Sequence, residues 1–357
     1  MKISTPGRIC LFGEHQDYLG LPTIAAAISR RISIEGTHRN DRQVVISMPD
    51  LKQRETFELV ENLVYEKERD YFRSTINVLK RRGFSFNRGL ECIVHGDIPI
   101  NSGTSSSSAL IVTWANFLTR HADVSATLTA KELGEIANAA EVLEFGEPGG
   151  MMDHYSTAIG HIIYLESTPQ IHVESLKPQL GTFVLGDSQQ AKDTLGILAR
   201  CRYGMEAIIQ KVTQHDPTFS IFTTPLTQVV DYAHLLTVDE LGLLKANLED
   251  RDILIMGKSL LTKPKDSNFD KDFGQLLCRH FENLRDHKRT STPKINRMIE
   301  ASTKAGALGS KINGSGGGGC MFAYAPNCAE AVAEAIEREG GLAYIIRVDE
   351  GTKLEVE

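Results

Sequence analysis

Apolar and polar positions fall into two rhythms along this 357-residue chain. In the first hundred residues the period is mostly two. Ile3 and residues 9–12 predict a strand interrupted at Pro6-Gly7, residues 23–34 extend the sheet, and residues 43–48 alternate as a half-buried strand does. Residues 62–82 carry charges at helical spacing, and residues 90–94 return to strand. From Ser106 the period becomes helical, over residues 106–119, 129–145 with Thr129 as N-cap, and 150–159. Strands at 161–166 and 182–185 precede helices at 194–212, 238–247, 270–286 and 293–304. The chain closes on a βαβ-like series: 307–313, 320–324, helix 328–338, and 343–348. Strands before helices in one half, and alternation in the other, predict an α+β protein with two lobes. The division is set at Ser167-Thr168-Pro169, giving 1–166 and 167–357.

Composition narrows the functional classes. A chain 41% hydrophobic and 24% charged is an ordinary globular protein, long enough for two domains. A net charge of -7 and a pI of ≈ 5.9 argue against general nucleic-acid binding, which needs a basic face to replace counterions. A nucleotide remains compatible, because a local cluster of amides and a metal ion is sufficient. Cys10, Cys92, Cys201, Cys278, Cys320 and Cys328 show no C-x-x-C spacing, so neither a zinc site nor a disulfide framework is expected. No apolar run reaches membrane-spanning length, and the first six residues have no apolar signal-peptide core. A cytoplasmic protein with no membrane partner is the expectation.

Three glycine-containing segments bear on chemistry. Gly103-Thr104 leads through Ser105, Ser106, Ser107 and Ser108 into an apolar helix, which reads either as a flexible turn or as amides and hydroxyls awaiting an anion. Gly314-Ser315-Gly316-Gly317-Gly318-Gly319 contains a formal G-x-G-x-x-G, but strand follows it instead of helix, so the dinucleotide reading fails. Five glycines exceed what a hairpin turn needs and imply close approach to a ligand or a second loop. Gly257-Lys258-Ser259 is no P-loop, because Asp252 stands where the first glycine must be.

Segments across the chain resemble the signatures of a known family in family order. Pro6-Gly7-Arg8-Ile9-Cys10-Leu11-Phe12-Gly13-Glu14-His15-Gln16-Asp17-Tyr18 resembles the galactokinase signature P-G-R-x-N-L-I-G-E-H-x-D-Y. The serine loop is similar to G-L-S-S-S-A-A-L, and residues 314–320 to G-A-G-G-G-G-C, of the GHMP kinases. Leu284-Arg285-Asp286 followed by Ser291-Thr292-Pro293 resembles a further galactokinase segment. The chain is thus identified as a galactokinase-like member of the GHMP kinase superfamily. The resemblance implies a ribosomal-protein-S5 domain-2-like N-terminal lobe and a ferredoxin-like C-terminal lobe, with ATP and Mg²⁺ between them.

By the same resemblance Gly103, Ser105, Ser106, Ser107, Gly316, Gly317 and Gly318 attend the phosphates, and Ser106 with Glu141 holds the metal. Gly149-Gly150-Met151-Met152-Asp153-His154 is similar to C-G-I-M-D-Q, which makes Asp153 the base, with Arg8 beside it. By itself Asp153 reads equally as a carboxylate favoured by a helix dipole. Glu14, His15, Asp17, Tyr18 and Gly150 are implied at the sugar, while His95, His121 and His161 read as structural or surface groups.

The chain also departs from the pattern. Leu19-Gly20-Leu21-Pro22 replaces N-G-G, Thr104 and Ser108 replace leucine and alanine, and residues 186–194 lack the family's N-S/T-N-V-K-R stretch, with Tyr203 the nearest tyrosine. The expected activity is ATP-dependent phosphorylation of the anomeric hydroxyl of a galactose-like sugar. A related sugar (galacturonate, glucuronate, arabinose or a heptose), another small alcohol, or a non-catalytic sugar sensor are the alternatives. Lys192, Arg200 and Arg202 are candidates for a uronate carboxylate, or else a solvated helix face. Monomer and homodimer stay open.

Overall fold

The computed structural model describes residues 1–147, 149–191 and 194–355. The first lobe opens with β1 (Lys2–Phe12), β2 (Thr23–His38), β3 (Gln43–Met48) and β4 (Gln53–Glu58). It continues with α1 (Tyr71–Arg81), β5 (Leu90–Gly96), α2 (Ser106–His121), α3 (Ala130–Asn138), α4 (Met152–Ile159), β6 (Ile162–Glu166) and β7 (His172–Leu176). The second lobe runs through β8 (Phe183–Asp187), α5 (Thr194–Leu198), α6 (Gly204–His215), α7 (Val238–Thr262), α8 (Phe269–Asp286) and α9 (Pro293–Lys304). It ends with β9 (Gly309–Ile312), β10 (Cys320–Tyr324), α10 (Ala329–Arg338), β11 (Leu342–Ile346) and β12 (Lys353–Leu354).

An eight-stranded sheet has the order β12-β1-β2-β5-β3-β4, with β6 on the first residues of β2 and β7 on β6. Helices α1 to α4 cover it around Phe72, Trp114 and Phe117. The second sheet is antiparallel in the order β11-β8-β10-β9. Numbered along the chain that order is 4-1-3-2, the split βαβ arrangement. A further core of Phe12, Ile24, Phe183, Leu254, Phe273 and Phe322 joins both sheets to α7 and α8. The architecture is therefore α+β with two lobes, as expected. The β6–β7 hairpin straddles the expected division after residue 166, and β12 returns to β1 in the first sheet.

Local departures from the expected elements have physical causes. Pro6-Gly7 does not break β1; a register shift between Pro6 and Arg8 absorbs it. A Cβ at Gly7 would lie 2.8 Å from the Thr104 carbonyl, so glycine lets the strand approach the serine loop. Helix α1 starts nine residues later than its charge pattern suggests. The buried Asp70 carboxylate accepts from the Glu66 amide (3.1 Å) and from Arg73 (2.9 Å), holding the preceding segment as a turn. Helix α7 runs fifteen residues further than expected, because Asp250 and Arg251, charged residues just past the expected end, are buried with partners. Among the described residues no helix is long and apolar enough to cross a membrane.

Candidate active site

A cleft of ≈ 770 Å³ is walled by β1 and its following loop, the serine loop, the segment before α4, and the start of the glycine loop. Helix α2 supplies one wall with its N-terminus. Ser105 precedes the helix in left-handed conformation (φ 59), and the first helical bond runs from the Ala109 amide to the Ser105 carbonyl (2.9 Å). The amides of Ser106, Ser107 and Ser108 are thereby left outside the helical ladder, at the positive end of a sixteen-residue helix.

Opposite this wall stands the expected base. Asp153, in the first turn of α4, takes two bonds on Oδ1 from Arg8, from Nε (2.9 Å) and Nη2 (2.7 Å). Arg8 is 4% exposed and also donates to the Gly103 carbonyl, while Asp153 keeps 34% of its side chain open to the cleft. Burial is the largest single influence on the Asp153 pKa and raises it, opposed first by the Arg8 charge and hydrogen bonds. With His154 and Ser105 adding to that opposition, the carboxyl stays below its ordinary range.

Asp17 faces the same space with the opposite tuning. Burial, then the charge of Asp153, push it up to about 6. A Cβ at Gly150 would lie 1.7 Å from Asp17 Oδ2, so only glycine lets the two segments meet. His15 (φ 60) donates from Nε2 to the Ser315 carbonyl (3.0 Å), and its Nδ1 accepts from the Tyr18 hydroxyl (3.0 Å).

Glu141 sits in a π-helical turn, Ala139–Leu143, that continues α3. Its Oε2 accepts from Ser108 (2.7 Å) and from His154 Nε2 (2.8 Å). Burial raises its pKa; the His154 bond and charge, with Ser107 and Ser108, outweigh that and leave it lowered. An ionised carboxylate beside serine hydroxyls is a hard oxygen donor set, which fits Mg²⁺. Ser106 lines the same wall.

The cleft therefore gathers Arg8, Glu14, His15, Asp17, Tyr18, Gly103, Ser105, Ser106, Ser107, Glu141, Gly150 and Asp153. Two groups of expected residues are engaged with the protein itself. Gly316, Gly317 and Gly318 do not line the cleft; the glycine loop meets it through Gly314 and Ser315. Gly317 donates to the Thr290 carbonyl (2.7 Å), and Cβ atoms at Gly316 and Gly318 would strike the carbonyls of Thr290 and Ala191. Those glycines permit loop-to-loop packing. Glu14, expected to face the sugar directly, is 2% exposed and engaged: Lys311 pairs with Oε2, and the Gly314 amide donates to Oε1 (3.3 Å).

Of the cationic cluster, Arg200 donates to the carbonyls of Lys288 and Arg289, and Arg202 pairs with Glu206 at 3.0 Å; Lys192 lies outside the described residues. Sequence reasoning missed Asn313, whose Oδ1 accepts from the Cys10 amide (2.9 Å) while Nδ2 donates to the Gly103 carbonyl (2.8 Å). It also missed the roles of His154 and Ser108 as partners of Glu141. Their only signal was adjacency to residues already singled out.

Comparison with known proteins bears on the family and the fold. Residues 70–161 match the model for the GHMP kinases N terminal domain, and residues 267–342 that for the GHMP kinases C terminal. Residues 2–37 match the galactokinase galactose-binding signature. The chain is 28% identical to the mevalonate kinase of Pyrococcus furiosus, over 99% of each chain. It is 24% identical to the galactokinase of Mannheimia succiniciproducens, over 91% of this chain and 85% of that one. The structure of Lactococcus lactis galactokinase complexed with galactose superposes with a TM-score of 0.82 at 20% identity, covering 99% and 94% of the two chains.

Proposed function

Because the chain belongs to the GHMP kinase family, we propose that it transfers the γ-phosphoryl group of ATP to the anomeric hydroxyl of a neutral, galactose-like sugar. The charge at the acceptor end of the cleft carries this reading. There, among the described residues, Arg8 is paired with Asp153 and Lys311 with Glu14, and Asp17 adds a further carboxyl. Such a surface accepts hydrogen bonds from hydroxyls and repels a carboxylate. The galactokinase signature over residues 2–37 supports the same class. The long alignment with mevalonate kinases favours a second reading, an acidic alcohol as acceptor.

In the proposed reaction the α2 amides and the hydroxyls of Ser105 to Ser107 cradle the phosphates. Glu141 and Ser106 would hold Mg²⁺, which neutralises phosphate charge when bound. Asp153, kept ionised by Arg8, accepts the proton of the attacking hydroxyl, and Arg8 balances charge on the transferred group. Asp17, His15 and Tyr18 orient the sugar, with Gly150 leaving room for Asp17. The lobes are taken as 1–166 and 167–357, with β7 and β12 exchanged into the first sheet.

ATP turnover measured with galactose, galacturonate, glucuronate, arabinose, mannose, fucose, mevalonate and homoserine tests the reading. Turnover with a neutral sugar is expected. Turnover with mevalonate or homoserine and no sugar sinks it, and sugar binding without turnover indicates a sensor. Asp153→Asn should lower kcat about 10²–10⁴-fold with little change in KM; undiminished turnover removes Asp153 as base.

A further inference from the structure

Behind Glu14, away from the cleft, lies a fully buried charged cluster. Asp250 on α7 and Lys288 just past α8 are each 0% exposed and paired at 2.8 Å between Oδ2 and Nζ. Asn283 on α8 donates to the other Asp250 oxygen (2.8 Å). His280 stands between the two carboxylates, 3.7 Å from Asp250 and 3.9 Å from Glu14. Burial, with Lys311 and Lys288, pushes its pKa far down, so the ring is neutral and the cluster holds two cations against two carboxylates.

Two buried ion pairs are a poor source of stability, because removing four charges from water offsets most of their attraction. What distinguishes Lys288 is its second contact. Its Nζ also donates to the Glu14 main-chain carbonyl (3.3 Å), the residue that begins the loop carrying His15, Asp17 and Tyr18. Two residues on, the Thr290 carbonyl receives the Gly317 amide (2.7 Å). The turn itself is anchored from outside by Arg200, which donates to the carbonyls of Lys288 and Arg289. One short turn thus braces the loop from Glu14 and the glycine loop, and His15 bonds those two loops to each other through Ser315.

We propose that Lys288, held by Asp250, is a positioning residue for the acceptor end of the cleft. Its ammonium fixes the main chain at Glu14 and so the placement of His15, Asp17 and Tyr18. The kinetic half of this inference rests on the sugar-kinase reading; the structural half does not. The test replaces both charges at once, Asp250→Asn with Lys288→Met, so that no charge is left unpaired in the interior.

In the full chain without ligand, amide hydrogen exchange over residues 14–19 and 315–318 should rise about tenfold or more, with the α2 core and the thermal midpoint unchanged. With galactose as acceptor, its KM should rise about tenfold or more while KM for ATP stays within about twofold. Unchanged exchange in both loops overturns the proposal, as does an equal rise in both KM values. If the parent chain turns over no sugar, the sugar reading fails and the exchange measurement alone decides. If the double variant does not fold, Lys288→Arg, which keeps the charge but displaces the Nζ contact, takes its place with the same two outcomes.

Discussion

At the residue scale the site depends on two aspartates tuned apart. Asp153 is held low by Arg8, whereas Asp17 is lifted by burial and by Asp153 itself to about 6. The first proton the pair takes up on acidification therefore goes to Asp17. Acceptor kcat/KM should fall as the pH drops through about 6, and Asp17→Asn should abolish that limb along with most acceptor affinity. Stability has the opposite sign. The folded carboxyl titrates at about 6 and an unfolded one at 3.8, so between these values only the folded chain keeps the proton. This stabilisation is complete below the unfolded value and is lost as the pH rises through about 6. Asp17→Asn should thus raise the thermal midpoint near pH 7.5 and leave it unchanged near pH 4. No gain near pH 7.5 would show that Asp17 is not perturbed.

At the scale of elements, legibility followed periodicity and local chemistry. The helix at 293–304 was readable because one face is apolar at helical period, and the strands at 43–48 and 320–324 because each is a short apolar run of strand length. The Thr129 cap was readable because its partner is three residues away. Thr129 accepts from the Glu132 amide (3.2 Å), and Glu132 accepts from the Thr129 amide (2.7 Å). Thr129→Ala should cost about 1 kcal/mol in urea unfolding with unaltered KM values; a kinetic effect would mean that α3 transmits its start to Glu141. The edges β4 and β7 were missed because their exposed polar faces break the alternation. Helix α7 was cut short because Asp250 has a partner 38 positions away, Lys288, and a local pattern contains no such information.

At the scale of the whole molecule the cleft exists only where four distant segments meet. Asn313 secures that meeting, bonding β1 at Cys10 and the serine loop at Gly103, while the Cys320 amide donates to the Ser102 carbonyl (2.7 Å). Asn313→Ala should cost about 1–3 kcal/mol in urea unfolding, because the Cys10 amide is buried and left without its acceptor. It should also lower kcat by displacing the serine loop from Asp153, and a variant equal to the parent in both would remove Asn313 from this role. The sequence by itself determined the family, the α+β class and the residues of the cleft that sit in its motifs, since these are carried by contiguous segments and their order. Tertiary structure alone decided the geometry of each charge pair and gave Glu14 its unexpected partner, Lys311. Glu14 and Lys311 are 297 positions apart, Arg8 and Asp153 are 145 apart, and pairing at such separations is set by how the sheets pack. That packing pairs Glu14 with Lys311 and sets Gly316 and Gly318 against the carbonyls of Thr290 and Ala191, contacts that no local pattern contains.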